Sequence, residues 1–176
     1  MDKDKKKIFI LDTSAFLSGK PLNFNDVQLI TTINIEKEIK PGGRDYQNYI
    51  YLKEKCLIFK TPSKDSLKKI KETLEKTGDI DRLSIFDIEI LAIALDENNQ
   101  KNVEVVLLTD DYSIQNVAIY NKIKFKSLNQ DGITKKFKWI SRCRGCGKKF
   151  KDNISICPIC GSDTKKIVIK TEEIDE

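Results

Sequence analysis

Apolar residues are distributed along this chain in two alternating rhythms. Short continuous apolar runs end in polar or acidic residues, and between them lie stretches with apolar residues at helical spacing. Residues 8–11, 27–30, 56–60, 103–108 and 123–128 read as strands, with 103–108 the clearest buried one. Residues 13–18, 31–40, 45–55, 63–76, 84–98 and 113–120 read as helices. Leu67, Ile70 and Leu74 form the packing stripe of one of them, and Ile33, Ile35 and Ile39 the apolar face of another. Gly19-Lys20-Pro21 and Pro41-Gly42-Gly43 are breaker clusters, and residues 79–82 form a polar turn. Cys56 opens the run CLIF and is expected to be a buried strand residue. Alternation of strand and helix predicts a mostly parallel sheet covered on both faces, a three-layer α/β domain.

Several strands run into acids. Ile8–Leu11 leads into Asp12-Thr13-Ser14, and the strand over 103–108 leads into Thr109-Asp110-Asp111. A glutamate among residues 36–38 follows the second strand, and Asp87 lies in the first turn of the helix capped by Ser84. Each acid alone is explained as a helix cap or dipole partner. Together they lie where open α/β sheets place their chemistry. Carboxylates crowded without a neighbouring cation repel one another, and a hard divalent ion such as Mg²⁺ or Mn²⁺ relieves that repulsion. One or two such ions can activate water and clamp a phosphodiester. The chain has no histidine, which excludes Ser-His-Asp and Cys-His schemes and any histidine base.

After residue 128 the pattern changes to short β signals, turns and cysteines. The expected organisation is an α/β domain over 1–128, a linker over 129–136, a ribbon over 137–171 and an acidic tail over 172–176. Cys143-Arg-Gly-Cys146 and Cys157-Pro-Ile-Cys160 are each followed by glycine, Gly147 and Gly161, which suits tight turns aiming four sulfurs at one ion. That spacing predicts one structural Zn²⁺ in a closed tetrahedral site.

Charge is divided in the same way. Residues 1–119 carry 18 Lys/Arg against 20 Asp/Glu, whereas residues 120–166 carry 13 against 3. A positive block on one module predicts a polyanionic partner, most simply RNA. Its candidate contacts are Lys135, Lys136, Lys138, Trp139, Arg142, Arg144, Lys148 and Lys149. Trp139 and Phe150 either stack on bases or form the ribbon's small core. The longest apolar run, 90–95, is too short to span a membrane, and MDKDKKK lacks the apolar stretch of a signal peptide, so a cytoplasmic location is expected.

ILDTSAF, EKEI, LSIFDIEILAIA and LLTDDYSIQN, in that order, resemble the PIN-domain nucleases. LLTDDYSIQN followed by a four-cysteine ribbon is similar more narrowly to the archaeal Nob family of endoribonucleases, which mature the 3′ end of small-subunit ribosomal RNA. The resemblance implies a PIN-like fold and metal-dependent cleavage of 16S precursor RNA, with pre-ribosomal RNA and the small-subunit precursor as partners. It assigns metal-ligand roles to Asp12, Asp87 and an acidic residue best matched by Glu38, Glu36 remaining open. The narrower family favours Asp110 in the last motif, and the general pattern of Thr, any residue, Asp favours Asp111. A bound water would be the nucleophile. Competing readings are a non-catalytic RNA- or ribosome-binding adaptor and a PIN ribonuclease with another RNA substrate.

Overall fold

The structure, a computed structural model, describes residues 5–18, 26–129, 132–133 and 135–173. Strands β1 (Lys6–Leu11), β2 (Val27–Thr32), β3 (Leu57–Lys60), β4 (Val103–Leu108) and β5 (Lys124–Lys126) form one parallel sheet in the order β3-β2-β1-β4-β5. Side-chain alternation along β1 divides the core. Ile8 and Ile10 face helices α3 (Lys64–Thr77), α4 (Ile85–Asn98) and α5 (Tyr112–Tyr120), where Ile70, Leu74, Ile90, Leu91 and Val117 are fully buried. Leu11 faces the opposite layer, built from Ala15 and Phe16 of α1 (Thr13–Leu17) and Tyr49 and Leu52 of α2 (Gly43–Lys55). The expected three-layer α/β arrangement is therefore present.

Three local expectations are corrected. Residues 31–40 are not a helix: Thr31 and Thr32 extend β2 and pair with Phe59 and Lys60, and only Ile35–Lys37 makes a 3₁₀ turn. β-branched threonines suit a strand, and Pro41 with two glycines leaves too little length for a helix. Ile33 is consequently exposed while Ile35 and Ile39 are buried. Cys56 is exposed and terminates α2, with its N–H donating to Leu52 O, rather than lying in the strand. The last strand is shorter than its apolar pattern, Lys124–Lys126, because residues 127–129 turn to bind an aspartate described below. The breaker at Gly19-Lys20-Pro21 lies outside the described residues.

The second sheet is antiparallel, in the order β7-β6-β8, from β6 (Lys135–Cys143), β7 (Lys149–Phe150) and β8 (Thr164–Glu173). The Lys135↔Glu173 pairing carries this sheet into residues expected to be linker and tail; residues 130–131, 134 and 174–176 of those segments lie outside the described residues. The root of β6 is tied to the first domain. Asn116 of α5 receives Phe137 N–H at 2.8 Å and donates to Phe137 O at 3.1 Å, acting as a substitute strand partner. Gly78 ends α3 at φ +78°, and a Cβ there would lie 2.5 Å from Trp139 O. Arg82 stacks on the Trp139 ring at 4.4 Å, and Lys166 donates to Gly78 O. Among the described residues no helix is long and apolar enough to cross a membrane.

Candidate active site and metal centres

In the order β3-β2-β1-β4-β5, the chain leaves β1 toward one side of the sheet and β4 toward the other, so their carboxyl ends flank a topological switch point. Asp12 stands there, 5% exposed. Its Oδ1 accepts from Thr13 N as the cap of α1, and its Oδ2 accepts from Ser14 Oγ at 2.9 Å and from Thr109 Oγ1 at 2.8 Å. Glu38 follows the 3₁₀ turn and accepts from Thr13 Oγ1 and, at 3.1 Å, from Ser84 Oγ. Asp87 completes a capping box with Ser84 at the start of α4. Carboxylate oxygens of Asp12, Glu38 and Asp87 all lie within 4.8 Å of one another.

Proximity and burial show in the proton affinities. Burial pushes the Asp87 carboxyl up to about 6, against the opposing hydrogen bonds from Ser84, with the charges of Asp12 and Glu38 adding to the rise. Burial likewise raises Asp12, only partly offset by Thr109 and Ser14. Among the described residues no lysine or arginine pairs with any of the three. Three hard oxygen donors carrying uncompensated charge suit a divalent cation.

Glu36 is excluded from this cluster. It pairs with Lys53 and accepts from Tyr49 Oη at 2.6 Å, and Lys53 first, then Tyr49, lowers its pKa. The structure thus selects Glu38 from the two glutamates.

The four cysteines converge as well. Cys143 Sγ lies 3.4 Å from Cys160 Sγ, and Cys146 Sγ 3.7 Å from Cys157 Sγ. Four thiolates around one tetrahedral ion with ligand bonds of about 2.3 Å would stand about 3.8 Å apart, close to these separations. Gly147 and Gly161 adopt φ of +74° and +70°, as the turn after each pair requires. Gly145 N and Cys146 N both donate to Cys143 Sγ. Hydrogen bonds from Ser162 lower the Cys160 thiol to about 6, which favours its thiolate.

The family model for the PIN domain of ribonuclease matches residues 9–96, which contain all three clustered acids. Endoribonuclease Nob1 of Archaeoglobus fulgidus is 40% identical over 157 residues, covering 89% of this chain and 89% of that protein. This chain belongs to the Nob1 family of PIN-domain endoribonucleases. Endoribonuclease Nob1 of Pyrococcus abyssi is 37% identical over 164 residues, covering 90% and 92% of the two chains. Ribonuclease VapC1 of Thermoplasma acidophilum is 37% identical over 159 residues, covering 90% of this chain and 77% of that protein.

Within this Nob1-family chain the remaining candidate acids, Asp110 and Asp111, are not among the three whose oxygens converge within 4.8 Å. Asp110 Oδ1 accepts from Ser127 Oγ, Leu128 N and Asn129 N, and Oδ2 accepts from Asn129 Nδ2. Burial acts to raise its pKa, but these donors prevail and hold it below the ordinary value. Asp111 caps α5, accepting from Ser113 N and Ile114 N. Both carboxylates accept loop or helix donors, and the residue of this motif that hydrogen-bonds to the cluster is Thr109, through its hydroxyl. Glu89 is a further acid that sequence reasoning missed. It accepts from Thr32 Oγ1 and, at 3.0 Å, from Asn34 Nδ2, residues that a helical reading of 31–40 had placed elsewhere.

Lys135, Lys138, Arg142, Arg144, Lys148 and Lys149 are exposed on the ribbon, and Lys136 is half-buried. Trp139 is half-buried under Arg82 and 6.4 Å from the Phe137 ring, so it packs against the nuclease domain.

Proposed function

We propose that this chain cleaves precursor 16S ribosomal RNA at the 3′ end of the small-subunit sequence, using Mg²⁺ or Mn²⁺ held by Asp12, Glu38 and Asp87. The observation that carries this reading is the convergence of those three carboxylates within 4.8 Å at the switch point of the sheet. The family likeness supplies the reaction class, endoribonuclease, and supports the reading of the substrate. A divalent cation bound there supplies Lewis-acid polarisation of the scissile phosphate and lowers the pKa of water. The protein's own hydroxyls do the positioning. Ser14 and Thr109 fix Asp12, while Thr13 and Ser84 fix Glu38. Asp110 pins residues 127–129 beside the site. Zn²⁺ on Cys143, Cys146, Cys157 and Cys160 would hold the ribbon, whose exposed cations contact RNA phosphates.

The test is cleavage of a transcript spanning the 3′ end of small-subunit RNA and its downstream precursor. A single Mn²⁺-dependent product ending at the mature terminus, absent with Asp12→Asn, is the expected result. The likeness to Ribonuclease VapC1 favours one second reading, a PIN ribonuclease acting on another RNA. Equal cleavage of unrelated structured RNAs, with no preference for the mature end, would favour that reading and overturn the first.

A further inference from the structure

Outside the carboxylate cluster and the cysteine site, a strongly basic concavity of about 700 Å³ runs along the edge strand β5. Lys122, Lys124, Lys126 and Lys136 line it around an apolar floor that includes Ile119 and Phe125, and no carboxylate is among its lining residues. Lys124 pairs with Glu104 at 3.0 Å. Lys122, Lys126 and Lys136 have no ion pair among the described residues.

The ends of this cleft give it meaning. At one end, Lys126 O accepts from Thr109 N at 3.2 Å, and the Thr109 hydroxyl donates to Asp12, so one residue links the backbone of Lys126 to the carboxylate cluster. At the other end, Lys136 belongs to β6, the strand that runs on to Cys143. The lysines therefore bridge the basic ribbon and the acidic catalytic edge, which otherwise repels a polyanion. Lys124 and Lys126 come from a segment whose alternation reads only as strand, whereas Lys136 is already a candidate RNA contact by sequence.

We propose that this cleft is a binding track for the phosphate backbone of single-stranded RNA, carrying the strand from the ribbon to the carboxylate cluster. The inference rests on the ribonuclease reading above. Lysine ammoniums act as point charges on phosphates, and the apolar floor lies under the sugar and base edges. Open sheet edges also carry lysines simply to discourage pairing with another chain, and that role predicts a different experimental result.

The test compares full-length protein with the triple variant Lys122→Gln, Lys126→Gln, Lys136→Gln. Lys124 is left in place to preserve its ion pair. Binding of a labelled single-stranded RNA oligonucleotide is titrated over a series of salt concentrations, without added Mg²⁺ or Mn²⁺. Each phosphate neutralised on a single strand contributes about −0.7 to the slope of log K against log salt, so the triple variant should flatten it by about 2. Its Kd should rise severalfold, with kcat at saturating RNA retained in the Mn²⁺ assay. The control variant Lys64→Gln, Lys68→Gln, Lys71→Gln removes the same charge from the exposed side of α3 and should change the slope much less. An unchanged slope in the cleft variant overturns the proposal, and a new self-association beside it assigns the lysines to edge protection. An equal loss in both variants also overturns it, as a general charge effect. Since binding is read without cleavage, failure of the nuclease reading would show separately, as wild-type protein that binds RNA and leaves it intact.

Discussion

At the scale of single residues, Asp12 and Asp87 each do two things. Both serve the N-terminus of a helix, and both place an oxygen in the carboxylate cluster. Asparagine separates these roles, because it ranks beside aspartate as a capping residue but lacks the charge. Asp12→Asn and Asp87→Asn should each cut RNA cleavage by more than about 100-fold, beyond the range for a residue that only orients a ligand. Melting temperature and RNA affinity should change little, and Asp65→Asn, in the exposed first turn of α3, should leave cleavage intact. Thr109→Val removes a hydroxyl that donates to Asp12 and accepts from Asp111 N, and should cost about 10–100-fold. Folded, fully active Asp12→Asn and Asp87→Asn proteins would remove the carboxylate site from the mechanism. The Asp87 carboxyl at about 6, raised chiefly by burial, adds a pH signature. A raised carboxyl holds its proton in the folded state when the unfolded chain has lost it. In metal-free protein its contribution therefore increases stability as pH falls from above 6 to below 4, and Asp87→Asn should flatten that trend. Mn²⁺ must displace the proton, so its affinity should drop as pH falls through 6. Asp12 and Asp87 were legible because each closes an apolar run or opens an apolar helix. The choice between Glu36 and Glu38 was not, since it depends on Tyr49 and Lys53 claiming Glu36 from another helix.

At the scale of elements, the sheet and its flanking helices were readable because their hydrophobic periods are distinct and their ends are punctuated. The stretch 31–40 was misread because isoleucines at 33, 35 and 39 imitate a helical face, while strand pairing with β3 decides Thr31 and Thr32. The turn at Asp110 was also hidden, since its donors lie on residues 127–129. Least visible was the seam between the two sheets, which rests on side chain to backbone contacts across distant segments. That seam can be tested directly. Asn116→Ala leaves the Phe137 N–H without its partner and the Phe137 C=O with only the longer 3.4 Å bond from Tyr120 Oη, and an unsatisfied buried polar group costs about 1–3 kcal/mol. The same change takes the Asn116 amide from Oδ2 of the buried Asp79, whose Oδ1 has no hydrogen bond and lies 3.8 Å from Arg82 Nε. Gly78→Ala forces a side chain into a left-handed position against Trp139 O. Amide exchange at residues 137–139 should quicken in both variants while the carboxylate cluster still binds Mn²⁺. Unchanged exchange would mean that the seam does not hold β6.

For the whole molecule, the seam alters what the zinc site is expected to control. The ribbon's fully buried residues are few, Ile140, Ser141, Cys143 and Cys157 among them, too little core to fold alone. Metal binding worth about 10–16 kcal/mol in small zinc peptides would supply most of the order around the cysteine turns. The root of β6 has another source of order in Asn116, Gly78 and Arg82, and it carries the chain's single tryptophan, Trp139, beneath Arg82. Tryptophan fluorescence therefore reports the seam and not the knuckles. Stripping the metal from the full chain with a chelator should disorder residues 143–163 and weaken RNA binding, since Arg144, Lys148 and Lys149 lose their fixed positions. Trp139 emission should barely move, because the nuclease domain still holds it. Asn116→Ala with its metal in place should produce the reverse, a red-shifted tryptophan over intact cysteine turns. A red shift on metal removal as large as that of Asn116→Ala would show instead that zinc orders the whole ribbon down to its root, with the seam a consequence of the metal and not an independent anchor.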